Sequence, residues 1–185
     1  MTNVALACAA GNGSRVRKLP PAERMSLVAH FTTRAMAYQP VENYGIIGDL
    51  DTVALVGMDG SIDFMCLPEF DSPSVFAALL DDTRGGRFRL APMLEGARQR
   101  QLYMPDSCVL LTRFLSDEGV AEVSDFMPIA DSQPARAVVR RVKTVRGEIV
   151  FRMHCQPRFD YARGAHTVER RRDGGVRPRR GRRGR

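Results

Sequence analysis

Asp49, Asp51, Asp59, Asp63, Glu69 and Asp71 crowd into one short stretch of the chain. Neighbouring carboxylates are raw material for acid–base chemistry, because differing environments make one hold a proton while another stays ionised. Asp59 falls in Met58-Asp59-Gly60-Ser61, where it serves a turn, and Asp71 before Ser72-Pro73 reads as a helix cap. Asp49 and Asp63 have no evident structural duty and are the carboxylates left for a surface or a site. Other chemistries find less support. Cys8, Cys66, Cys108 and Cys155 are widely spaced, without a C-x-x-C, and His30, His154 and His166 make no metal-type spacing with them. His154 and Cys155 are adjacent, so on a strand they face opposite ways. The cysteines therefore read as free thiols of a reducing compartment, and no metal or cofactor is expected. Ser61, Ser72 and Ser74 lack the G-x-S-x-G setting of an activated nucleophile, and no glycine-rich phosphate loop is present.

These residues need a scaffold, and the local patterns describe one. Thr52 to Val56 is β-branched and apolar, Met58-Asp59-Gly60-Ser61 supplies a turn, and Ile62 to Leu67 returns as a second strand ended by Pro68. Phe70-Asp71-Ser72-Pro73 then reads as a helix start, with Val75, Phe76, Leu79 and Leu80 as the apolar stripe of a short helix over 73–80. Further strands are expected at Arg87–Leu90, Gln99–Tyr103, Ser107–Leu115, Val120–Met127 and Arg136–Val145. Arg146-Gly147 reads as a turn joining the last of these to a partner strand, Glu148–Cys155. Short strands at regular spacing with Gly and Asp turns predict a mainly β fold, an antiparallel sandwich that is complete or lacks some strands.

The stretch Glu42 to Leu80 resembles the opening of bacterial trehalase and glucoamylase-like proteins of glycoside hydrolase family 15. The resemblance rests on Tyr44, Ile47-Gly48-Asp49, Thr52, Ala54-Leu55-Val56, Asp59-Gly60-Ser61-Ile62-Asp63, Cys66, Pro68, Phe70-Asp71-Ser72-Pro73 and Phe76-Ala77. Phe64 replaces the family's usual Trp and Glu69 its usual Arg. Looser likeness continues through Gly86 to Pro92, Asp125 to Pro128 and Pro157 to Tyr161, so it spans roughly residues 36 to 162. It implies an N-terminal β-sandwich that packs against a larger α/α barrel carrying two catalytic glutamates. The parent activity it implies is inverting hydrolysis of α-glucosidic bonds, as in trehalase or glucoamylase. This chain of 185 residues is expected to be the non-catalytic front domain without that barrel. An α-glucoside would then be its partner only within a full-length parent. The resemblance places Asp63, Phe64, Cys66, Pro68, Phe70 and Asp71 at the rim of the substrate pocket or where the barrel docks. Inversion needs two carboxyl groups about 6.5–9.5 Å apart across the scissile bond, and the acidic stretch offers no obvious pair of that kind.

Charge divides the chain. The formal net charge is +7; residues 163–185 hold ten Arg against Glu169 and Asp173, a net of +8, which leaves −1 for residues 1–162. The expected organisation is a weakly ordered leader (1–35), a sandwich domain (36–162) and an Arg-rich disordered tail (163–185). Met36 precedes the family-like segment at once, so the leader reads as an upstream extension, the alternative being a genuine N-terminal arm. For the tail three readings compete: phosphate neutralisation on nucleic acid through Arg170 to Arg185, an acidic surface, or a GC-rich gene segment read out of frame. The last is favoured, because the family-like chain would continue past Asp173-Gly174-Gly175 with alternating strand residues and here that order stops at Val176; the lack of aromatic residues for stacking also weakens a single-strand role. A stand-alone module binding carbohydrate through the sandwich, or nucleic acid through the tail, is the alternative function. Val4 to Ala10 is too short and lacks the basic flank of a signal peptide, and no apolar run of 18 or more residues exists. A cytoplasmic, membrane-free location is the expectation.

Overall fold

The computed structural model describes residues 3–9, 38–129, 137–164, 166–170 and 176–180. Its regular elements are strands, apart from one 3-10 turn at Val41–Asn43. They are β1 (Asn3–Ala9), β2 (Tyr44–Gly48), β3 (Val53–Gly57), β4 (Ser61–Cys66), β5 (Ser74–Ala77), β6 (Phe88–Pro92), β7 (Arg98–Tyr103), β8 (Leu110–Leu115), β9 (Val120–Phe126), β10 (Ala137–Arg146), β11 (Phe151–Cys155), β12 (His166–Arg170) and β13 (Val176–Arg180). One sheet runs β1-β10-β9-β8-β7; a second runs β11-β6-β4-β3-β2, with β5 also paired to β4; β12 and β13 form a separate pair. Every pairing is antiparallel. The strands β1, β12 and β13 lie in segments to which the sequence assigned no regular structure.

The two larger sheets stack as a sandwich. Ile47, Ala54, Val56, Ile62, Met65, Phe76 and Phe88 of one sheet share a buried cluster with Leu110 and Val138 of the other. A second cluster joins Leu90 and Phe151 to Phe114, Ala121, Val123 and Val142. The expected hairpin is β3–β4, closed by Gly60 at φ +80°. A Cβ there would lie 2.3 Å from the carbonyl oxygen of Leu90, so the position requires glycine for space as well as for conformation.

Two local expectations are corrected. The helix over 73–80 is instead strand β5 followed by a turn: Phe64 pairs with Ala77, Met65 with Phe76 and Cys66 with Ser74. All four β5 residues are buried. A short apolar run covered on both faces carries no period that separates strand from helix, and Val75 and Phe76 suit a pleated surface. The second correction concerns Glu148–Cys155. Its strand, β11, does not return along β10; the turn at Gly147, φ +83°, sends the chain to the other sheet, where β11 pairs with β6. Strand β10 takes β9 and β1 as neighbours instead.

Between the sheets lies a polar pin. Arg140 of β10 is fully buried, and so is Asp125 of β9. The guanidinium donates from Nε to Asp125 Oδ1 at 2.8 Å and from Nη2 to Oδ2 at 3.0 Å. It then crosses to the opposite sheet, where Nη1 donates to the Phe88 carbonyl at 2.7 Å and Nη2 to the Gly60 carbonyl at 2.8 Å. Its carbon lies 4.8 Å from the Phe88 ring centroid. A buried charge survives only when paired and hydrogen-bonded, and here both conditions are met.

Candidate functional site

The candidate residues divide between two places on the six-stranded sheet. Asp63 and Phe64 stand on β4 at its outward surface. The ladder between β3 and β4 shifts register between Leu55 and Val56, so Val56 pairs with Ile62 and Leu55 with Phe64, leaving Asp63 as the extra residue of a bulge. Asp63 is 4% exposed. Its Oδ2 accepts from the Tyr44 hydroxyl at 2.8 Å, and Arg87 Nε lies 3.5 Å from Oδ1. That Oδ1 has the ion pair but no hydrogen-bond partner. Burial, then the hydrogen bond and charge of Asp63, push the Tyr44 phenol well above its ordinary range. On the same side, burial and then the charges of Arg87 and Arg89 push the His154 imidazole down. Phe64 is half-buried between Leu55 and Ala77.

Cys66, Pro68, Phe70 and Asp71 lie at one end of the sheet. Cys66 is buried, its carbonyl accepting from Thr52 Oγ1 at 2.7 Å. Burial pushes its thiol up, as does the nearby Asp71 charge, with a hydrogen bond to Tyr161 opposing. A cis peptide bond joins Leu67 to Pro68, and the chain then turns outward through Pro68, Glu69, Phe70 and Asp71, all exposed. The Phe70 amide donates to the Asp51 carbonyl at 2.9 Å, so the β4–β5 loop is tied to the β2–β3 turn. On that turn Leu50 holds φ +78° with 88% of its surface exposed, and Phe70 on the tied loop is 64% exposed. A bulky side chain at positive φ is a strained position, and an apolar one facing water has lost the burial that would offset the strain. The segment Asp160 to Gly164 closes on this end, with the Tyr161 amide donating to Ser74 Oγ at 3.0 Å. Tyr161 and Leu80 border a cleft of about 130 Å³ that also takes in Ala77, Asp81, Arg84, Gly85 and Ala162.

Three carboxylates of the acidic stretch, Asp49, Asp59 and Asp63, are accounted for by structure. Asp49 Oδ1 accepts from the amides of Asp51 and Thr52 at 3.2 and 3.0 Å, a cap on the β2–β3 turn. Asp59 Oδ1 accepts from the Ser61 hydroxyl and from Gln39 Nε2, each at 2.7 Å, and Oδ2 pairs with Arg89 at 3.2 Å. So Asp49 and Asp63, left without a duty by the sequence, both have one. Asp71 caps no helix, since none follows; Ser72 closes the turn instead, its Oγ accepting from the Glu69 amide at 3.0 Å. Tyr44 and Tyr161 were visible within the family-like strings, and Arg87 beside them, but nothing in the sequence separated them from their neighbours as partners of Asp63 and Cys66. Leu50 gave no signal at all. Among the described residues no cluster of His, Cys, Asp and Glu could hold a metal ion. No helix among them is long and apolar enough to cross a membrane.

The family described as "Trehalase-like, N-terminal" matches residues 30–178. The chain belongs to this family. It is 32% identical over 150 residues to a protein named trehalase of Mycolicibacterium smegmatis, covering 71% of this chain and 22% of that protein. It is 39% identical over 130 residues to trehalase 1 of Sulfolobus acidocaldarius, covering 70% of this chain and 22% of the relative. A trehalase of Thermoplasma volcanium is 31% identical over 150 residues, 78% of this chain and 24% of the relative. The chain thus spans about a fifth to a quarter of the length of these relatives. No solved structure matches it. As a trehalase-like N-terminal domain it is a glycoside hydrolase-related unit, mainly β as the sequence led one to expect.

Proposed function

We propose that this domain is a non-catalytic N-terminal sandwich of a cytoplasmic α-glucoside hydrolase of glycoside hydrolase family 15, with trehalose or an α-glucan as the parent's substrate. In this reading the loop end bearing Leu50, Pro68, Phe70, Asp71 and Tyr161 docks on the catalytic barrel and shapes one rim of its pocket. Asp63 and Phe64 support that end from the sheet behind it. The observation that carries the reading is the exposure of Leu50 and Phe70 on two turns tied by the Phe70–Asp51 hydrogen bond. Turn tips in a self-sufficient domain are polar, whereas large apolar side chains exposed on two joined tips favour a surface that another body covers. The printed names of the relatives, and the small share of them that this domain spans, favour the same assignment. Chemistry within the domain is disfavoured because Asp49, Asp59 and Asp63 are committed to turns and to Tyr44, Arg87 and Arg89.

The test uses the full chain. It should release no glucose from trehalose, maltose or starch, should not be retained on an α-glucan resin, and should bind an apolar-surface dye. Leu50→Ser with Phe70→Ser should remove most of the dye signal while the urea midpoint holds. Glucose release abolished by Asp63→Asn would overturn the non-catalytic assignment. Unchanged dye binding in the double variant would overturn the docking assignment.

A further inference from the structure

Strand β7 ends the five-stranded sheet and β2 ends the six-stranded one. An edge strand recruits other chains unless charge, proline, a bulge or a cover prevents it. Strand β7 carries Arg98 and Arg100. Strand β2, Tyr44-Gly45-Ile46-Ile47-Gly48, has neither charge nor proline, and its register with β3 runs without a bulge. Ile46, at its centre, is 53% exposed. By its own sequence β2 is an unguarded edge.

The cover comes from the other sheet. Tyr103, the last residue of β7, pairs with the core residue Leu110, so its side chain leaves β7 on the inner side. The Ile46 amide donates to the Tyr103 hydroxyl at 2.9 Å, and that hydroxyl donates to the Ile46 carbonyl at 2.8 Å. A hydroxyl has one proton and two lone pairs, so it holds both bonds at once. In an antiparallel ladder each residue turns its N–H and C=O to the same side, alternating along the strand. Ile46 therefore presents both groups to the free side of β2, and one phenol oxygen occupies the pair that an added strand needs. Packing does not account for the arrangement, because Tyr103 is 48% exposed. Joining the sheets does not require it either. Gln101, two residues earlier on the same side, already crosses over, its Nε2 donating to the Val56 carbonyl at 3.2 Å.

We propose that Tyr103 guards the β2 edge, and that without it this edge pairs with the same edge of a second copy of the chain. The pairing is self-complementary: about a twofold axis Ile46 faces its counterpart, and the two exchange both N–H···O bonds. The inference does not depend on the docking role given to the loop end. Sedimentation equilibrium of the full chain tests it. Y103S should self-associate at least about tenfold more tightly than the unaltered chain, since it uncovers two main-chain hydrogen bonds. Y103F, which keeps the ring and loses both bonds, should do so to a smaller extent, and it carries the test if Y103S loses its fold. Y103S/I46P should return to the value of the unaltered chain, because proline removes the edge amide and leaves the ladder to β3 intact. Y103S/I46A, which trims the exposed side chain and keeps the amide, should retain the gain. That contrast separates main-chain pairing from apolar association through Leu50 and Phe70, which every variant keeps. Hydrogen exchange supplies an independent reading: the Ile46 amide should exchange slowly in the unaltered chain and faster in dilute Y103F. No gain in Y103S or Y103F, a gain that survives I46P or vanishes with I46A, or an Ile46 amide that exchanges equally fast in the unaltered chain and in dilute Y103F would each overturn the proposal.

Discussion

Removing the Arg140 side chain should unfold this domain more readily than any other single truncation to a similar-sized apolar group. Arg140→Met keeps much of the buried volume but takes away two charge-assisted bonds to Asp125 and one each to the carbonyls of Phe88 and Gly60. The Gly60 carbonyl keeps the Leu90 amide at 2.9 Å, so the loss falls mainly on Asp125. With no exposure to water, its carboxylate is left as an uncompensated buried charge. Breaking a buried pair in this way costs about 3–5 kcal/mol. Domains are stable by only about 5–15 kcal/mol, so the variant would lose a large share of its stability. Urea unfolding followed by circular dichroism reads this as a fall in midpoint at constant slope. The paired variant R140M/D125L removes both charges, and apolar replacement of a whole buried pair is often neutral or stabilising by about 1–4 kcal/mol. It should therefore recover most of what Arg140→Met loses. A loss under about 1 kcal/mol in the single variant, or no recovery in the double, would refute the view that the stranded Asp125 charge, rather than lost packing, is what destabilises Arg140→Met.

Two further outcomes follow from the shifted groups. Because the folded state holds the Tyr44 phenol above its ordinary value of 10.0 and the unfolded chain does not, the unfolded state binds fewer protons once pH passes about 10. Stability gained by keeping Tyr44 protonated is thus full below that pH and is lost as pH rises. Tyr44→Phe should be less stable at neutral pH, through the deprived Asp63, yet show a shallower decline between about pH 9 and 11; equal slopes would count against the link. Cys66 should resist alkylation by iodoacetamide while exposed Cys108 and Cys155 react, because burial both raises its thiol and hides it. Mass spectrometry showing Cys66 modified as fast as Cys108 would contradict its placement.

How much of this was readable beforehand depends on how local the cause was. The β3–β4 hairpin was legible because the Asp59-Gly60 turn, the β-branched run before it and the alternating run after it each argue for the same local geometry. Strands β8 and β9 were legible for a similar reason, joined by a short turn and paired with each other. Strand β5 was misread because its burial on both sides comes from β4 before it and from Gly85 and Gly86 after it, which lie outside the run itself. The Ala77 amide donates to the Gly85 carbonyl, and a Cβ on Gly85 would lie 2.1 Å from the Ala77 oxygen. Strand β11 was misassigned because a turn signal shows where a chain bends and not which sheet it joins.

The site obeyed the same division. The string around Asp63 and Phe70 pointed to the right region, but a motif names residues without separating those that face a partner from those that hold the motif's own shape. Asp49 and Asp59 carry the carboxylates that a search for chemistry selects, yet their oxygens close the turns that place Leu50 and Gly60. Arg140 shows the reverse case. It follows Val138 and Val139 in a strand of otherwise exposed or half-exposed cations, Arg141 and Lys143, and the paired valines and paired arginines leave the phase of alternation open. Nothing in its own sequence neighbourhood reveals that it is the one charge buried, because its carboxylate partner and its two carbonyl acceptors come from three other segments of the chain.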